Sequence, residues 1–253
     1  MSRPLRTGIL IIGSLLWDSR NGREQWRRSR LRMDDRRPVP APIRYGRFSD
    51  QRKTYTMVFS RLCYRQRGLG TAQLVPCVSS VSSAAELITE AEYLAQAEGL
   101  SEWTWGGIGV AVNPQASVAK DILGGWAGYF AKRSKGCQVF KAHARTETAV
   151  LSARGILRLD WPAVSSGGAL EIDLLLATAT APHIEKKLRD KWLYARPVEI
   201  AEAYAKLSTP EYFVENVRSD IRTNQDAAIW KATLRHRPDW AKEFADIADR
   251  VSS

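Results

Sequence analysis

Residues 8–12, Gly-Ile-Leu-Ile-Ile, are apolar on both faces of an extended chain. That pattern predicts a strand in the middle of a sheet. Gly13-Ser14 then breaks the run into a loop. Alternation over residues 55–59 and 72–78 predicts two more strands, and Pro38, Pro40 and Pro42 mark extended chain before them. The clearest helix covers residues 81–100: Ser83 is a good N-cap, Glu86 stands three residues on as in a capping box, and Gly99 is a C-terminal stop. Residues 103–112 predict a glycine-rich strand, 117–132 a short helix and 172–178 another strand. Helical patterns follow over 199–207, 212–220, 224–234 and 240–251, the second opened by Ser208-Thr209-Pro210-Glu211. Strands and helices intersperse without a regular βαβ rhythm, so the expected class is α+β with a mostly antiparallel sheet.

One residue breaks the pattern of the best helix. With Leu87 at zero and about 100° per residue, Leu94, Ala91, Ala95 and Ile88 form an apolar stripe, and Glu98 falls near 20°, inside it. Glu86, Glu90 and Glu92 fall at or beyond its edges. Glu98 thus points where the core is expected. Burial and the negative end of the helix dipole both disfavour its anion, so its pKa is expected to rise. A carboxyl tuned toward neutrality can take and return a proton, which is what general acid–base catalysis requires.

Charge adds a second asymmetry. The chain of 253 residues carries a formal +11, yet residues 1–70 hold 17 basic and 5 acidic side chains, and residues 68–119 hold no Lys or Arg at all. Any cation near Glu98 must therefore come from far along the chain, with the basic first 70 residues the place to look. A uniformly basic wrapper for nucleic acid does not fit this distribution. Eight arginines crowd residues 20–37, beside Trp17 and Trp26. They could dock RNA or an acidic partner. Asp34 and Asp35 interrupt the run, and Glu24 can pair with Arg27 or Arg28 on a helical turn, so a solvated, salt-bridged face is the favoured reading.

At 44% hydrophobic and 26% charged, the chain can bury a core and is not a disordered sequence. Cys63, Cys77 and Cys137 lack CxxC spacing, which points to inert thiols in a reducing compartment. His143, His183 and His236 have no zinc-site spacing, so no metal is expected. Residues 1–6 are basic and 8–17 largely apolar, like the start of a signal peptide, but no A-x-A-type site follows and the run is too short to span a bilayer. The expectation is a cytoplasmic protein with no membrane partner. Tyr45, Tyr55 and Tyr64 are each able to supply a hydroxyl to a site, and Trp103 and Trp105 would share a face on a strand.

Gly13-Ser14-Leu15-Leu16-Trp17-Asp18 after an apolar strand, then Pro38-Val39-Pro40, the strand at 55–59 and a helix ending in Glu98-Gly99 resemble the gamma-glutamyl cyclotransferase-like family. The likeness is to its bacterial branch with a Gly-Ser-Leu-(Ile/Leu)-Trp motif, and it covers residues 8–100, with a weaker likeness over 208–229. It implies one domain over residues 1–253, a small, partly closed β-barrel with flanking helices. Residues 113–207 are left unplaced and 208–253 form a helical tail. It implies a substrate too: a gamma-glutamyl amine or amide whose own α-amino group attacks the side-chain carbonyl, giving 5-oxoproline and a released amine. Glu98 would be the general acid/base. The backbone N–H groups of Gly13, Ser14 and Leu15 would hold the substrate. No metal or organic cofactor is needed. Ile12 and Leu15 depart from the aromatic and the Asn that the family carries beside its Gly-Ser, removing a phenol and an amide from the site. The alternative is a binding module on the same fold, using the arginine-rich face for RNA or an acidic partner. The sequence leaves the oligomeric state open.

Overall fold

The computed structural model describes residues 3–66, 68–100, 102–103, 105–135, 149–163, 171–183 and 194–252. Cys137 and His143 lie outside them.

β1 (Leu5–Ile11) is the middle of a five-stranded sheet. Its apolar residues are buried on both faces, as the two-sided pattern predicts. β2 (Arg37–Ala41) and β5 (Gly70–Val81) flank it on one side, β7 (Leu174–Thr180) and β6 (Gly106–Val112) on the other, in the order β2-β5-β1-β7-β6. β1 pairs antiparallel with β5 but parallel with β7, so the sheet is mixed. β3 (Ile43–Ser49) and β4 (Thr54–Phe59) form a separate antiparallel pair around a turn at residues 50–53. β3 is the strand that hydrophobic alternation misses, because Arg44 and Arg47 interrupt its apolar positions. The α+β class stands.

The register of three strands creates one crowded end of the sheet. Ile9 of β1 pairs with Leu176 of β7, so the chain leaving β1 at Ile11 and the last residues of β7 emerge on the same side. Gly106, the first residue of β6, pairs with Thr180, the last of β7. Trp105 is thereby delivered to that end, where its carbonyl accepts from the Ala181 N–H. A bridge between Arg47 and His183 brings in the β3–β4 hairpin.

α3 (Ala84–Glu98) points its C-terminus to the same place. Ser83 caps it by accepting from the Glu86 N–H, the Glu86 carboxylate accepts from the Ser82 N–H at 2.5 Å, and Gly99 ends it with φ of 75°. Leu87, Ala91, Leu94 and Ala95 are buried, as the wheel requires. Glu90 is buried too, paired with Arg30 beneath Tyr93, so the buried stripe is wider than the apolar residues alone suggest. α4 (Lys120–Arg133) covers α3 and buries Ile122, Trp126 and Phe130 at a four-residue spacing. The first helix, α1 (Arg23–Arg30), packs on α3, and a short α2 (Leu62–Arg65) follows β4.

The last third is helical: α5 (Pro197–Ala205), α6 (Glu211–Arg218), α7 (Asp226–His236), α8 (Trp240–Glu243) and α9 (Ala245–Ser252). The pattern expected over 240–251 splits in two at Phe244. Phe213 of α6 stacks on Trp230 of α7 with centroids 5.7 Å apart and planes 6° from parallel, which adds about 1 kcal/mol to simple burial. The buried core runs from Leu5 in β1 to Ile247 in α9. No described helix is long and apolar enough to cross a membrane.

Candidate active site

The crowded end of the sheet encloses a cavity of about 330 Å³. The loop after β1, the C-terminus of α3, the end of β7, the β3–β4 turn and α6 all contribute to its wall. Gly13, Ser14, Leu15 and Glu98, the four residues singled out from the sequence, line this one space.

The loop at Gly13 is a tight turn, with the Leu16 N–H donating to the Gly13 carbonyl and the Asp18 N–H to the Ser14 carbonyl. The N–H groups of Gly13, Ser14 and Leu15 find no partner among the described residues. Successive free amides on a tight turn form an anion-binding concavity. Arg27 fixes the far side of this loop by donating to the carbonyls of Leu15 and Asp18 at 2.6 and 2.8 Å.

Glu98 is 21% exposed, through the cavity. Burial raises its pKa; the charge of Arg23, the nearby Thr178 hydroxyl and the charge of Arg52 pull it back only in part. Both cations come from the first 70 residues, as the charge map demands. Arg23 Nη2 stands 3.7 Å from Glu98 Oε2, an ion pair beyond hydrogen-bond distance. Its other donors are committed: Nε to the Ala97 carbonyl at 2.9 Å, and Nη1 to Ser14 Oγ at 3.1 Å and Asp18 Oδ2 at 2.9 Å.

Asp18, only 5% exposed, is the counter-anion of the site. It accepts from Arg20 Nη2 at 2.7 Å, from Arg23 Nη1, and from Arg52 Nη2 at 2.5 Å. Burial works against its anion, but the hydrogen bonds from Arg20 and Arg52 and the charge of Arg23 outweigh it and hold the carboxyl well below the usual range. Arg52 also lies over Trp17 and Tyr212, 5.5 and 5.4 Å from their ring centroids. Arg47 sits 4.5 Å above Trp105 on the cavity wall and makes no ion pair among the described residues.

Several sequence expectations are corrected here. The arginine run is not a wholly solvated face. Arg28 pairs with Glu24 on the outside, but Arg23 and Arg27 are buried, because positions 23, 26 and 27 lie three and four apart on one face of α1 and turn inward with Trp26. Tyr45 and Tyr55 are buried in the core away from the cavity, and the Tyr64 hydroxyl accepts from the Asp160 N–H. The cavity phenol comes instead from Tyr212, on α6. Its hydroxyl accepts from the Met57 N–H at 3.2 Å and lies 2.6 Å from where a Cβ on Gly13 would be. A phenol is thus present although Ile12 supplies none. Trp103 and Trp105 part company, since both precede β6: Trp103 packs on Tyr129 and Phe130, and Trp105 faces the cavity. Tyr212, Arg47 and Arg52 carry no local signal of site membership; only the topology assembles them. Cys77 is a buried thiol pushed up to about 12 by burial, and Cys63 is a buried thiol that donates to the Ile43 carbonyl.

Comparisons of the chain with protein-family models, with curated proteins and with solved structures find no match.

Proposed function

We propose that the chain is a gamma-glutamyl cyclotransferase-like enzyme of the reducing, cytoplasmic compartment, acting on a gamma-glutamyl amine or amide. The observation that carries this reading is one cavity holding a raised-pKa carboxyl, Glu98, and three free amides at Gly13, Ser14 and Leu15. The amides hold the substrate α-carboxylate. The substrate's α-amino nitrogen then attacks its own side-chain carbonyl carbon. Glu98 as carboxylate accepts the proton from that nitrogen and returns it to the departing amine. One C–N bond forms, one breaks, and 5-oxoproline and an amine leave. Because both reacting groups belong to one molecule, the protein's main task is to hold the bent conformer in place. Arg47, stacked on Trp105 and without an ion pair among the described residues, supplies a cation for an acidic substituent on the released amine. The family's partly closed barrel belongs to the same reading: β2 leads directly into β3, which is bridged at Arg47 to His183 beyond β7.

The test is a panel of gamma-glutamyl amino acids and amines assayed for 5-oxoproline. At least one is expected to turn over, and Glu98→Gln is expected to lower kcat by at least about 100-fold while retaining the fold by circular dichroism. Full activity of that variant, or no turnover of any compound by a folded protein, overturns the reading.

A further inference from the structure

Arg23 could pair fully with Glu98 and does not. Its Nη2 is the one terminal nitrogen left for Glu98, at 3.7 Å, while Nη1 is shared by Asp18 and Ser14. Arg52, the other cation whose charge reaches Glu98, is likewise spent on Asp18, at 2.5 Å. Asp18 gathers these two arginines, with Arg20, from three different places: the loop after β1, α1 and the β3–β4 turn. We propose that Asp18 is a positioning residue that keeps Arg23 and Arg52 on its own carboxylate and so holds them back from hydrogen-bonded pairing with Glu98. It acts through the arginines and through the loop that Arg23 ties down at Ser14.

The groups facing Glu98 fix the sign of the effect. They are Arg23 from α1, Arg52 from the hairpin turn, Thr178 from β7 and Tyr212 from α6. Two are cations, and both are hydrogen-bonded to the same carboxylate, that of Asp18. Neutralising Asp18 frees Arg23 to close the 3.7 Å gap to hydrogen-bond distance and Arg52 to turn toward Glu98. A carboxyl so placed titrates at lower pH, because hydrogen bonds to the charged form and closer opposite charge both favour ionisation.

This inference deepens the reading above and rests on Glu98 being the proton carrier, but its test needs no turnover. The Glu98 side-chain carboxyl is followed by carbon NMR across a pH titration in the wild type, in Asp18→Asn, and in the double variant Asp18→Asn/Arg52→Gln. In Asp18→Asn the Glu98 midpoint is expected to fall by at least about one unit. The double variant loses one negative and one positive charge together, and because the lost Arg52 charge itself favours the Glu98 anion, a simple change of net field leaves the midpoint unchanged or higher. Release of Arg23 still predicts a midpoint below that of the wild type. The double variant also carries less unpaired charge, which keeps the question answerable should the single variant not fold. An unchanged or higher midpoint in the double variant overturns the inference, whatever the enzyme assay shows. Where turnover is present, the acid limb of the kcat/KM profile of Asp18→Asn is expected to move down with the NMR midpoint; an unmoved limb with a moved midpoint retains the inference about charge and removes Glu98 from catalysis.

Discussion

Gly13 shows how little room the site leaves at the level of a single residue. A methyl group there would meet the Tyr212 hydroxyl at 2.6 Å, closer than real side chains approach. Tyr212 cannot retreat freely, because its oxygen accepts the Met57 N–H and its ring lies edge-on to Trp17 at 6.1 Å. Gly13→Ala is therefore expected to lose about 1–3 kcal/mol in urea denaturation. Removing the hydroxyl removes the clash, so Gly13→Ala is expected to cost less in a Tyr212→Phe background than in the wild type. Equal costs in the two backgrounds would mean that the two residues are not coupled. Glu98 is legible in the sequence at this scale because an anion inside an apolar stripe violates a local rule. Tyr212 is not, because a tyrosine on a buried helix face obeys every local rule and only its distant neighbour gives it a role.

Among the elements, α3 and α1 make opposite lessons. Every feature of α3 that matters is local: its cap at Ser83, its stop at Gly99 and its stripe lie within one stretch of chain. Such features can be read without a structure. α1 is composed mostly of arginine and polar residues, and local pattern assigns it to solvent. The three-dimensional partners of Arg23 and Arg27 lie in the loop before the helix and at the C-terminus of α3, and hydrophobicity does not encode them. β3 is missed for the same reason. α6 serves two masters, with Tyr212 toward the cavity and Phe213 stacked between Trp230 and Tyr45. Phe213→Ala is expected to cost about 3–5 kcal/mol of stability by chemical denaturation. It should also raise KM more than it lowers kcat, since it loosens the element that carries the phenol and leaves Glu98 in place. A kcat loss alone would argue against that division of labour.

At the scale of the whole molecule, Asp18 and Glu98 make opposite contributions to stability as pH changes. Asp18 is held low by its arginines, so it adds stability above the ordinary aspartate value of about 4, and that stability is lost as pH falls toward its folded value. Glu98 is raised, so its ionisation costs stability once pH rises past the ordinary glutamate value of about 4.3, and the cost is complete above its folded pKa. Glu98→Gln is accordingly expected to melt at a higher temperature than the wild type at pH 8, with the difference vanishing below about pH 4. Calorimetry across that range checks the sign. The formal +11, read from the sequence as a question about partners, is partly turned inward: Arg20, Arg23 and Arg52 converge on one carboxylate beside the cavity. That convergence has a thermodynamic consequence for any ligand. An arginine side chain free in solution carries roughly 2 kcal/mol of rotamer entropy. Three of them are immobilised when the chain folds, before anything binds. A ligand entering this cavity meets a wall whose freedom has already been surrendered, and its association is expected to proceed without a slow rearrangement of the charged groups around it.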